Sequence, residues 1–204
     1  MRTLIERSRS AGTAYQVAKV FSDQSDAAGL KLAEDLGVPA QILSASRSVD
    51  RAAYDRNLAT AIQACSPALI VMAGFMRILS AEFVDAFAGR ILNIHPSLLP
   101  KYPGLRTHRR VLEAREPEHG ATVHFVTEQL DGGPSIIQGR VAVKTNDDEA
   151  SLAARVQAQE HRIYPLAVQW FCEGRLRYAD GQAWLDGQVL TEPVQFDAPS
   201  AGAP

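Results

Sequence analysis

Apolar positions along this chain fall into two alternating rhythms, short runs of β-formers and longer stretches with helical spacing. Gln16 to Ser22 is a β-rich run that ends in a polar turn. Asp26 is placed to cap a helix reaching Leu36, which Gly37 and the nearby Pro39 stop. Ala40 to Leu43 is a second short strand, and Arg51 to Cys65 carries Ala, Tyr, Leu and Ile at helical spacing up to Ser66-Pro67. Leu69 to Ala73 is continuously apolar, the pattern of a strand buried on both faces in a parallel sheet. Ser80 caps a short helix through Phe87, and Ile91 to His95 is a strand cut off by Pro96.

From Gly120 the rhythm changes. Ala121 to Val126 and Ile136 to Val143 read as strands joined through the turn-forming Asp131-Gly132-Gly133. A long helix is predicted from about Asp148 to Phe171, kinked at Pro165. Leu176 to Tyr178, Ala183 to Leu185 and Val189-Leu190 form a small meander turning at Asp186-Gly187. The order predicts an α/β fold: a Rossmann-like open twisted sheet, mostly parallel with an antiparallel C-terminal part, holding ligands beyond the carboxyl ends of its strands. Residues 1–190 are expected to form one domain. Residues 191–204 are expected to be a disordered tail, Ala/Pro/Gly/Ser-rich from Asp197 onward.

Composition narrows the class without choosing a function. With 204 residues, 46% of them hydrophobic and 22% charged, the chain can bury one sizeable core. A net charge of −2 gives no general attraction to nucleic acid or an anionic membrane, so phosphate recognition would have to be local. Cys65 and Cys172 lie far apart with no ligand spacing around them, which points to a reducing compartment and to no structural metal. No run is long enough to span a bilayer, and the first residues lack the apolar core of a signal peptide. A cytoplasmic location is expected.

Asn93 and His95 lie two apart on a strand, so both side chains share a face at its carboxyl end. An amide dipole beside an imidazole is suited to holding an oxyanion and supplying a proton or positive charge. The same spacing fits a turn cap and a polar strand end. Asp131 is an ordinary turn residue by itself; folded back onto His95, its carboxylate would favour the imidazolium.

Several segments together carry a resemblance. Asn93 to Leu105 (NIHPSLLPKYPGL) is very like the signature of the glycinamide ribonucleotide (GAR) transformylase family. Ala73-Gly74-Phe75-Met76-Arg77-Ile78-Leu79-Ser80 is similar to its folate-site segment. His119 to Val126, Leu130 to Pro134, Gln157 to His161 and Tyr164-Pro165 match its later motifs in order. The resemblance implies formyl transfer from 10-formyltetrahydrofolate, a co-substrate, to the amine of GAR, without a metal. It implies Asn93, His95 and Asp131 as the catalytic trio. It implies folate contacts from Arg51, Met76, Arg77, Ile78, Leu79, Asn93, Thr127, Glu128, Gln129, Leu130 and Asp131. Gly74, Pro96, Gln157 and Glu160 would contact the ribonucleotide. The partners are small molecules, not nucleic acid or membrane, and the protein would be a monomer or homodimer. Taken singly, Met76, Ile78 and Leu79 also fit core packing, Arg51 a solvated charge, and Gln157 and Glu160 an exposed helix face.

The resemblance also implies a buried first strand and a phosphate-gripping Gly-x-Gly turn ahead of the first helix. Arg2 to Arg9 reads as that helix, so strand and turn are expected to be missing here, through a misassigned start, a truncation or natural loss. The lost strand would be central, leaving its neighbours' edges open. A catalytically silent folate-binding homologue and a formyltetrahydrofolate hydrolase are the alternatives. His108, His119 and His124 could border the site, His124 as a buried hydrogen-bonded residue.

Overall fold

A computed structural model describes residues 1–44 and 50–196. Expectations for residues 197–204 lie outside the described residues.

The chain opens with helix α1 (Arg2–Arg7) and reaches strand β1 (Val20–Ser22), helix α2 (Ala28–Asp35) and strand β2 (Ala40–Ile42). Helix α3 (Arg51–Gln63), strand β3 (Ile70–Met72), helix α4 (Ala81–Ala86) and strand β4 (Ile91–His95) follow. Next come helix α5 (Thr107–Glu113), the long strands β5 (Glu118–Phe125) and β6 (Ser135–Ala142), and helix α6 (Glu149–Cys172). The meander is β7 (Leu176–Ala179), β8 (Gln182–Leu185) and β9 (Gln188–Val189), and β10 (Val194–Phe196) closes the described chain.

β3 and β4 are parallel, β4, β5 and β6 antiparallel, and β10 adds to β6 in parallel, giving the order β10-β6-β5-β4-β3. β1 and β2 form a separate parallel pair. The sheet is interrupted between β1 and β3, as expected from a missing central strand that leaves its neighbours' edges open. One consequence corrects an expectation: Ile70, Val71 and Met72 are each only partly buried, because β3 has a ladder partner on one side alone.

The helices form where local chemistry directs. Ser80 Oγ accepts from Phe83 N–H at 3.3 Å to start α4. Asp148 and Ser151 make a reciprocal capping box at α6, which runs unbroken through Pro165. α2 differs from expectation: its N-cap is Ala27, without a side-chain bond, and Asp26 does not cap it. α5 is a helix the apolar pattern did not single out. β10 replaces part of the expected disordered tail. Val194 and Phe196 pack on the core, while Gln195 accepts from Arg140 Nε at 2.7 Å.

The main core lies between α6 and the five-stranded sheet, where β5 is buried along all but its first residue. A second cluster joins α3 and α4 to β3 and the start of β4, and a third joins α1 to α2 and β1. Among the described residues, no helix is long and apolar enough to cross a membrane.

Candidate active site

β4 carries Asn93 and His95 to the edge of the sheet where β3, its parallel neighbour, also ends. Antiparallel pairing sets His124 directly opposite Asn93. His124 is buried, and desolvation holds its imidazole below the usual histidine range, so the ring is neutral at neutral pH. Its Nδ1–H donates to the Phe125 carbonyl at 2.8 Å, which leaves Nε2 as an acceptor. Asn93 Nδ2 stands 3.3 Å from that Nε2 and donates to it. One amide hydrogen is thus spent fixing the carboxamide, and the second remains for a ligand. His124 was legible only as a buried histidine; the cross-strand register reveals what it orients.

His95 is also buried. Its Nε2 lies 2.9 Å from the Tyr102 carbonyl, an acceptor only, so Nε2 carries the hydrogen. Nδ1 faces Asp131 Oδ2 at 3.5 Å. Asp131 Oδ2 accepts the Gly104 N–H at 2.8 Å, and Oδ1 lies 3.9 Å from His124 Nε2. The trio expected from sequence is therefore one cluster.

The Asp131-Gly132-Gly133 turn has a steric reason. Asp131 takes a left-handed backbone, φ 49°, which Asp tolerates better than most residues. A Cβ at Gly133 would run into the Phe125 carbonyl oxygen, so only glycine lets the loop press against the end of β5.

A second group gathers beside the trio. Gly74 turns the chain with φ 71° just beyond β3, into a segment where Met76 is 77% and Ile78 53% exposed. This exposure argues against core packing for both residues. Arg51, at the first turn of α3, donates to the Leu79 carbonyl at 2.8 Å, which ties it to the same segment. Arg77 lies over the Tyr54 ring, 4.6 Å from its centroid. Across the sheet edge, Thr127 is half-buried and Glu128, Gln129 and Leu130 are exposed on the loop leading to Asp131. Pro96 follows His95 directly, half-buried.

Gln157 and Glu160 are not joined to the trio by any hydrogen bond among the described residues. Gln157 is exposed on α6. Glu160 is half-buried, and burial raises its carboxyl above the ordinary range. One helical turn on, the Tyr164 hydroxyl lies 2.7 Å from the Met72 carbonyl and 2.9 Å from that of Leu92. This face of α6 therefore borders β3 and β4. His108 and His119 pair at 3.0 Å, and burial, aided by His108, pushes His119 down to about 4.

Comparison with known proteins identifies the family. The formyl transferase family model matches residues 1–168. The phosphoribosylglycinamide formyltransferase of Escherichia coli is 55% identical over 174 residues, 85% of this chain and 82% of that protein. The enzyme of the same name from Haemophilus influenzae is 42% identical over 190 residues, 93% of this chain and 90% of that protein. The solved structure of the Coxiella burnetii phosphoribosylglycinamide formyltransferase superposes with a TM-score of 0.91 at 43% identity, covering 96% of this chain and 92% of that one. With these matches spanning the strands, loops and helix that build the site, the chain belongs to the formyl transferase family, among the phosphoribosylglycinamide formyltransferases.

Proposed function

We propose that this protein transfers the formyl group of 10-formyltetrahydrofolate to the amine of glycinamide ribonucleotide, with Asn93, His95 and Asp131 as its catalytic residues. The observation that carries the reading is the cluster itself: an oriented amide with one free N–H, a histidine with an acceptor at each ring nitrogen, and a carboxylate beside it.

The substrate amine attacks the formyl carbon, forming the new C–N bond as the carbonyl π pair moves onto oxygen. The free Asn93 N–H bonds that oxyanion. His95 contributes positive charge beside it, its Nε2 held by the Tyr102 carbonyl and its Nδ1 facing the Asp131 carboxylate. Asp131 holds the imidazolium and accepts a proton from the attacking nitrogen through water. The oxyanion pair then re-forms the carbonyl and breaks the bond to the folate N10, which takes back from Asp131, through water, the proton that the attacking nitrogen released.

Arg51, Met76, Arg77, Ile78, Leu79 and the loop Thr127, Glu128, Gln129, Leu130 would bound the folate. Gly74, Pro96, Gln157 and Glu160 would face the ribonucleotide. Exposed apolar side chains around backbone polar groups suit a flat heteroaromatic ring. The same reading places the enzyme in the cytoplasm, acting on small molecules.

Removing one oxyanion donor costs roughly 10²–10³ in rate. Asn93→Ala, His95→Ala and Asp131→Ala are each expected to lower kcat at least that far in a formyl-transfer assay. Near-normal turnover in one variant would remove that residue from the mechanism.

A further inference from the structure

Tyr102 and Gly104, which hold His95 and Asp131 through their backbone groups, belong to the loop between β4 and α5. That loop is fastened to the sheet from beneath by a compact set of buried polar groups. The Gln138 Nε2 on β6 donates to the Leu99 carbonyl at 2.8 Å and to Thr122 Oγ1 at 3.1 Å. Thr122 Oγ1 also accepts the Leu99 N–H at 3.1 Å and donates to the Ser97 carbonyl at 2.7 Å. Its single donor and both acceptor sites are therefore used. Ser97 Oγ closes the loop on itself through the Lys101 carbonyl at 2.7 Å. Ser97, Thr122 and Gln138 are all buried.

Gln138 sits among Ile136, Ile137 and Gly139, every one buried. An apolar residue of the same size would fill that space without desolvating an amide. What the amide adds is direction: it fixes Leu99 in the same stretch of loop as Tyr102, whose carbonyl meets His95.

We propose that Gln138 is a positioning residue for the formyl-transfer step, holding the loop through Leu99 and Thr122 so that the Tyr102 carbonyl orients the His95 ring. The inference rests on the role of His95 proposed above. Gln138 touches neither substrate in this scheme, so its loss acts on turnover and leaves binding intact.

The test uses Gln138→Met, which keeps length and packing and removes the donors. Formyl transfer by the full chain is measured with each substrate varied, alongside His95→Ala. The His95 ring N–H resonance is recorded by NMR in the parent and in Gln138→Met. The expected result is kcat about ten-fold lower, both KM values within two-fold of the parent, and a lost or shifted ring N–H signal. A kcat within two-fold of the parent, or a fall matched by the loss of folded protein with the ring signal unmoved, overturns the inference. If Gln138→Met does not fold, Thr122→Val against Thr122→Ser decides in its place. The valine must lower kcat with KM unchanged and the serine must restore it; equal activities overturn the inference. A His95→Ala enzyme with normal turnover would overturn the underlying role of His95. A dead His95→Ala beside a normal Gln138→Met would overturn the network alone.

Discussion

β5 and β1 are both strands of this fold, yet they sit in different surroundings. β5 is eight residues long, has ladder partners on both edges, and is buried at every position after Glu118. β1 has three residues, one ladder partner and no fully buried position. The five-stranded side also holds the polar network beneath the catalytic loop, His95, His119 and His124 on its strands, and His108 on α5 paired with His119. The two-stranded side carries apolar residues packed against α1 and α2 and no histidine. The contrast teaches that hydrogen-bonded neighbours on both edges are what allow a strand to hold polar side chains in fixed positions. Precision is concentrated in one side of this molecule, where the chemistry is.

The largest test of that contrast is a single added methyl group on each side. A Cβ at Gly120, on β5, would meet the Gly139 carbonyl oxygen across the ladder, backbone that cannot give way, and the Leu98 side chain. Gly120→Ala is expected to cost more than about 3 kcal/mol, beyond the usual range of point substitutions. Gly37, after α2, has a φ of 64° with nothing near its missing Cβ, so Gly37→Ala should cost only about 1–2 kcal/mol of backbone strain. Urea melts of the two variants check this, and equal losses would erase the proposed difference between the sides.

Acid titration should sharpen it further. The folded-state pKa of His119 is about 4, below its ordinary value of 6.5, and buried His124 is displaced the same way. Between those limits the unfolded chain binds more protons than the folded one. Stability is thus full above about pH 6.5 and falls as the pH drops toward 4, by at most about 3 kcal/mol from His119. His119→Gln should flatten that decline in denaturant midpoints taken from pH 7 to pH 4. An unchanged slope would show that His119 is not the group responsible.

The smallest expected difference concerns packing. Val123 on β5 is fully buried and Val20 on β1 is not. Val123→Ala should cost about 2–3 kcal/mol and Val20→Ala about 1 kcal/mol, since the half-buried site leaves no sealed cavity. In hydrogen exchange, the amides of β1 and β2 should exchange well before those of β5. Protection of β1 equal to that of β5 would mean that both sheets open together.

Much of the site was legible because it is local in sequence. Asn93 and His95 share a strand face by simple alternation, and Asp131-Gly132-Gly133 announces a turn that glycine alone can make. Asp148 and Ser80 announce helix starts. What could not be read depends on partners distant along the chain. Leu69 to Ala73 looks doubly buried because apolar runs report side chains, while the absence of a second ladder neighbour is a property of the whole sheet. His124 faces Asn93 across 31 positions of sequence, and the Tyr102 carbonyl that meets His95 has no side-chain signature at all. The Val194-Gln195-Phe196 strand reads as tail in the sequence because three residues carry too little alternation to register. It is pinned by Arg140 and Gln138, more than fifty positions upstream.

That last strand bears on how the protein can be cut and tagged. β6 is eight residues long and buried from Ile136 to Gly139, and β10 lies against its outer edge from Ile137 to Gly139. A chain trimmed at residue 190, at the end of the meander, would bare this stretch of backbone as a template for another molecule. An affinity tag fused beyond Phe196 leaves the cover in place. The boundary that keeps this edge covered thus lies past the last recognisable motif, set by the sheet rather than by the active site.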